Sequence, residues 1–158
     1  MIGKGKSISH GTAALEYDLA KEIDGQTAAI EIARHELYGC TGAEMVQEMK
    51  PYHADFPNVK NNCLRFEVSP SIEESATFTD ADWAELGNDF MQRMGLANHQ
   101  YIIIRHSGTE SKKEQAHLHI LANRVSLSGE LYRDNWIGKK ATEAANAIAK
   151  ERNFVQSQ

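Results

Sequence analysis

Apolar and polar positions change period several times along the chain, and each change marks an element. Over residues 62–69, Cys63, Arg65 and Glu67 alternate with Leu64, Phe66 and Val68, the period-two pattern of a strand with one buried face. Residues 79–94 switch to helical spacing. Thr79 or Asp80 caps that helix, Trp83, Leu86, Phe90 and Met94 form its apolar stripe, and Gly95 ends it. Strands are predicted over 100–106 and 116–125, joined by the polar loop 107–115. A helix is predicted from Gly11 to about Glu22, on the spacing of Ala14, Leu15, Leu19 and Ile23, with Thr12 as N-cap and Gly25 as stop. Residues 26–38, with alternating Ile30 and Ile32, read as a strand, although their alanines also suit a helix. A short helix over 41–49 closes at Pro51, a polar loop follows over 51–62, and an alanine-rich helix spans 139–152 with Ile148 inward. Leu131 and Tyr132 begin a short strand or form a turn. The first ten residues, with Gly3, Lys4, Gly5 and Lys6, read as a flexible tail or as a basic arm that tracks phosphates.

Mixed strands and helices without internal repeats predict an α+β fold, a central antiparallel sheet flanked by helices. With 158 residues the chain is one domain long and large enough to bury a core. The 41% of hydrophobic residues contain no run of membrane-spanning length, and no signal peptide opens the chain, so no membrane insertion and a cytoplasmic location are expected. Cys40 and Cys63 stand in no metal-type spacing and read as free thiols. A net charge of −5 argues against a general DNA coat protein but does not describe a cleft with its own local charge.

Chemistry concentrates in residues 116–124. On a strand, His117, His119, Leu121 and Asn123 share one face while Leu118, Ile120 and Ala122 share the other. Two imidazoles at that spacing sit about 6–7 Å apart at the backbone and can lean onto one metal ion. The neighbouring strand ends in His106 and, folded back antiparallel, supplies a third ring. Three histidines on paired strands leave open positions for substrate or water. Of the seven histidines, His35, His53 and His99 stand singly in polar contexts and read as exposed or structural.

The run from Tyr101 into His106, then His117-Leu118-His119 and Asn123-Arg124, resembles the metal-binding motif of conjugative relaxases of the mobilisation-protein superfamily, the HUH-type single-strand endonucleases. The opening from Gly3 to Gly11, with Ala14-Leu15-Glu16-Tyr17, resembles their first motif and is similar to relaxases of Bacteroides-type mobilisable elements. The similarity covers most of the chain in order. One departure lies in the loop: eleven positions separate His106 from His117, a longer loop than the family's, and Glu110 and Glu114 are the candidates for its acidic residue.

The resemblance implies an HUH-endonuclease-like relaxase domain over residues 1–158, the N-terminal part of a longer protein. It implies Tyr17 as nucleophile and His106, His117 and His119 as ligands of a divalent ion; Asn123, on the same face, is expected to hydrogen-bond a ligand or the backbone. A phenol is a poor nucleophile while protonated at neutral pH, so a base or nearby positive charge is needed as it attacks a phosphodiester. The ion expected is Mn²⁺ or Mg²⁺, although three nitrogen donors favour Mn²⁺, Zn²⁺ or Ni²⁺ by affinity. Lys4, Lys6, Arg124, Lys139 and Lys140 are candidate phosphate contacts. The substrate implied is single-stranded or hairpin-flanked origin-of-transfer DNA, with accessory mobilisation proteins and a coupling protein as partners. Two alternatives stand beside this reading: a rolling-circle replication initiator, which usually places its tyrosine after the histidines, and a metal-stabilised DNA-binding accessory protein without nicking activity.

Overall fold

A computed structural model describes residues 1–107 and 115–157. Its centre is a five-stranded, wholly antiparallel sheet, the α+β arrangement expected. In chain order the elements are β1 (Ile2–Ile8), α1 (Gly11–Leu19), β2 (Glu22–Ile23), β3 (Gln26–Thr27), β4 (Ala29–His35), α2 (Gly42–Met49), β5 (Cys63–Ser69), α3 (Ile72–Ser75), α4 (Asp80–Arg93), β6 (Tyr101–His106), β7 (His117–Asn123) and α5 (Ile137–Glu151). The strands lie in the order β1-β5-β7-β6-β4, while β2 and β3 form a separate hairpin.

The two faces of the sheet are covered by different helices, and strand alternation sorts the side chains between them. Leu64, Phe66 and Val68 of β5 share a core with Leu118, Ile120 and Ala122 of β7, against Trp83, Leu86 and Phe90 of α4 and Ala141, Ala145 and Ile148 of α5. Phe66 and Phe90 meet edge to face with centroids 5.5 Å apart. Gly3 and Gly5 let α5 and the Phe66 ring approach β1, because a Cβ would lie 2.3 Å from the Ala141 carbonyl oxygen at Gly3 and 2.7 Å from the Phe66 ring at Gly5. On the other face Ile8, Cys63, Ile102, Ile104 and Leu121 pack beneath α1 and α2 through Ala14, Leu15, Met45, Val46 and Met49. Each fully buried leucine, isoleucine or phenylalanine contributes about 1.5–3 kcal/mol relative to exposure. With nine and eight residues, α1 and α2 cover only part of this second face. Polar side chains occupy the remainder.

Several local expectations are corrected. The first ten residues are no tail: Ile2–Ile8 is an edge strand of the main sheet, paired along its whole length with β5. Helix α1 begins at Gly11 after His10 rather than with a Thr12 cap, and it ends at Leu19. Gly25 instead serves the turn between β2 and β3, where Asp24 and Gly25 both take positive φ, as a two-residue hairpin requires. Residues 26–38 divide between β3 and β4, and β4 carries a bulge between Glu31 and Ala33. Leu131 makes an isolated bridge with Val125. Helix α4 starts with a capping box between Thr79 and Asp82 and is followed by Gly95 in the left-handed region, as read from the sequence.

Candidate active site

Register places the three histidines. Residues paired across antiparallel strands share a face, so the second face carries a row Ile2, Ser69, His117, His106 and, next to it, a row Lys4, Glu67, His119, Ile104. His106 stands directly opposite His117, and His119 lies one row toward the helices. Ring centroids are 5.4 Å apart for His106 and His117, 4.3 Å for His106 and His119, and 4.9 Å for His117 and His119. One nitrogen from each ring lies within 4.8 Å of the other two.

The donor set suits a divalent ion. Nε2 of His117 and Nε2 of His119 face each other at 3.1 Å, so either one carries a hydrogen shared with the other or an ion lies between two lone pairs. An ion about 2.0–2.1 Å from each would subtend roughly 100° there, an ordinary coordination angle. His106 Nε2 lies 2.7 Å from the main-chain oxygen of Asp18; a carbonyl only accepts, so Nε2 carries the hydrogen and Nδ1 holds the lone pair. Burial holds the basicity of His106 below the ordinary histidine value, and it holds His119 down to about 2, with the charges of His106, His117, Arg65 and Lys21 adding to the effect. Both rings are neutral at physiological pH, the form a metal needs.

Asp18 ties α1 to the sheet in two ways. Its carbonyl accepts from His106, and its buried carboxylate accepts two bonds from Arg65 on β5, Nε at 3.2 Å and an Nη at 2.5 Å. That anchorage sets the azimuth of the helix and turns the preceding residue, Tyr17, outward beside the histidines. Tyr17 is 63% exposed, and it lines a cavity of about 390 Å³ together with Lys4, Lys21, Glu67, His106, His117 and His119. Lys21 Nζ sits 5.7 Å from the centre of the Tyr17 ring. Glu67 is the one carboxylate lining this cavity among the described residues. A second groove runs on from His119 and Glu67 along Lys4, Lys6 and Arg65.

Tyr17, His106, His117, His119, Lys4 and Lys6 are thus brought to one end of one sheet face. Other candidates lie elsewhere. Asn123 shares the face, but it stands four residues, roughly 13 Å of strand, beyond His119. There it is fully buried: its side-chain oxygen accepts from His53 and from the Val125 amide, and its amide nitrogen donates to the Met49 and Gln100 oxygens. Its support goes to the core and not to the metal-type cluster. Arg124 is engaged with the Tyr132 and Asn61 carbonyls and with Asp134, while Lys139 and Lys140 lie on α5 across the sheet. His99 donates to the Asn123 carbonyl and His53 to the Asn123 side chain, both structural as read. Glu110 and Glu114 lie outside the described residues.

Lys21, Glu67, Asp18 and Arg65 were not singled out from the sequence. Lys21 carries a usable signal, one helical turn beyond Tyr17. Glu67 and Arg65 acquire theirs only from strand pairing, which sets Glu67 opposite His119.

Against known proteins, the model of one family, described as "Relaxase: MobA/VirD2-like, nuclease domain", matches residues 17–154, a span that opens on Tyr17 and contains all three histidines. No curated protein matches the chain.

Proposed function

The chain belongs to the MobA/VirD2-like relaxase family, over its nuclease domain, and on that premise we propose that it nicks one strand of origin-of-transfer DNA by attack of Tyr17 on a phosphodiester. The observation that carries this reading is the convergence of an exposed tyrosine and three clustered histidines, from opposite ends of the chain, on one cavity.

In this reading Tyr17 Oη forms a bond to phosphorus as the bond to the 3′-oxygen breaks. The phenol proton passes to a base, for which the Glu67 carboxylate is the group in the cavity, and the departing 3′-oxygen gains a proton from solvent. The products are a 5′-phosphotyrosine and a free 3′-hydroxyl; ester replaces ester, so the strand can be rejoined. His106, His117 and His119 would hold a divalent ion, Mn²⁺ or Mg²⁺ with Zn²⁺ and Ni²⁺ as competitors, which when bound would supply Lewis-acid stabilisation of the phosphate's charge. Lys21 and Lys4 line the same cavity and supply positive charge to the phosphate, and Lys6 continues that charge along the neighbouring groove. Asp18 and Arg65 position the helix that bears the nucleophile. Tyr17 precedes the histidines in the chain, which favours a relaxase over a replication initiator. Among the described residues no helix is long and apolar enough to cross a membrane.

Tyr17→Phe tests the proposal, because it removes one oxygen and keeps the ring. The variant is expected to bind Mn²⁺ and cognate single-stranded DNA within a few-fold of wild type while forming no denaturant-stable protein–DNA adduct. An adduct in the variant would transfer the role to another residue. A wild-type domain that binds DNA but never nicks it with any divalent ion would leave the accessory-protein reading.

A further inference from the structure

Trp136 is 77% exposed, although burying an indole is ordinarily favourable. Its backbone lies in the left-handed region at φ 60°, uncommon for a bulky side chain. Local contacts hold it there. Asp134 accepts from Ser7 Oγ at 2.7 Å and pairs with Arg124 at 3.2 Å, and Ile137 is buried at the start of α5. Gly138 packs beside β1, where a Cβ would stand in ordinary contact with the Gly5 carbonyl, 3.6 Å away. The segment bearing Trp136 is therefore tied to β1 by a hydrogen bond at Ser7 and packs against it at Gly5, on either side of Lys6.

Lys6 is also where the groove leading from His119 reaches the edge of the sheet. Arg133, Lys139 and Lys140, all exposed, flank the indole in the chain. A cationic groove reaching an edge beyond which an exposed aromatic ring is held is a combination that binds single-stranded nucleic acid, phosphates on the cations and a base on the ring. A protein-docking site would instead need exposed apolar neighbours, whereas the exposed side chains near Trp136 in sequence, Arg133, Asn135, Lys139 and Lys140, are polar or charged. We propose that Trp136 is a stacking platform for one base of single-stranded DNA that leaves the histidine cavity along Lys4 and Lys6 and crosses the edge of β1. The proposal rests on the nicking reading for the identity of the strand, and its test separates the two.

The probe is a labelled oligodeoxythymidine, titrated at low salt into the domain carrying Tyr17→Phe, so that binding is read without chemistry. The other tryptophan, Trp83, is buried, so quenching of indole emission by the oligonucleotide reports Trp136, with Trp83→Phe as the control. Quenching is expected, together with a loss of affinity of about 5- to 150-fold in Trp136→Ala and near-wild-type binding in Trp136→Phe. The dependence of affinity on salt should be the same in all three proteins, since stacking releases no counterions. An unchanged thermal midpoint in Trp136→Ala would show that the fold is intact. Absence of quenching, or an unchanged affinity in Trp136→Ala, overturns the platform even if wild type forms its covalent adduct. Quenching with the expected loss, in a protein that never forms an adduct, upholds the platform and removes the nicking reading instead.

Discussion

Replacing Asp18 by Asn keeps the shape of the side chain and removes the charge that holds Arg65. The carboxylate is 1% exposed and the arginine side chain 22%. Breaking a fully buried pair costs about 3–5 kcal/mol and an exposed one about 0–1 kcal/mol; solvent at the arginine places this pair between them, at about 1–3 kcal/mol. For a domain of this length each kcal/mol moves the thermal midpoint by about 2–4 °C, so a fall of roughly 2–12 °C is expected by calorimetry. The carbonyl bond from His106 to residue 18 is main chain and survives the substitution, so the histidine cluster should keep its metal affinity. Tyr17, however, loses the tether of its helix. A displacement of about 1 Å can cost about 100-fold in a positioned reaction, so the rate of covalent adduct formation should fall by about 10- to 100-fold while DNA affinity stays within a few-fold. Arg65→Met should match the loss of stability, and Asp18→Leu combined with Arg65→Met should be more stable than the sum of the single variants predicts, by about 1 kcal/mol or more. A midpoint within a degree of wild type in Asp18→Asn, or strict additivity in the double variant, would refute the tether.

His119→Ala should reduce affinity for Mn²⁺ by more than about 100-fold and remove nicking with it; calorimetry that still finds one tight ion per chain would exclude the three-histidine centre. The depressed basicity of His106 and His119 makes the metal-free domain sensitive to acid. Their folded values lie below the ordinary 6.5, so between that value and the folded ones the unfolded chain binds more protons. Stability is therefore complete above about pH 6.5 and falls as the pH drops below it. Denaturant titrations at descending pH should show this decline and a flatter one in His119→Gln; equal slopes in the two proteins would contradict the burial that causes the shift.

The sequence by itself determines much of this protein, because alternation and helical spacing are local properties. The half-buried strand at Cys63–Ser69, the capped helix before Gly95 and the histidine-bearing strands were all legible from a few consecutive residues. So was the site's most specific feature, since His117 and His119 on one strand share a face whatever that strand pairs with. Tertiary structure decided what pairing alone can settle. A glycine-lysine opening looks like a tail until β5 supplies its hydrogen-bonding partner and α5 the surface that its glycines fit. Asn123 shares the histidines' face, yet the face is longer than the site, and only the cover of α1 and α2 shows where chemistry stops and core begins. Glu67 and Arg65 read as the polar half of an alternating strand; register sets one opposite His119, and the burial of Asp18 gives the other its partner. The proposed chemistry depends on distances of a few ångströms between residues about a hundred positions apart, and such distances are fixed by strand order and helix seating, which no local pattern encodes.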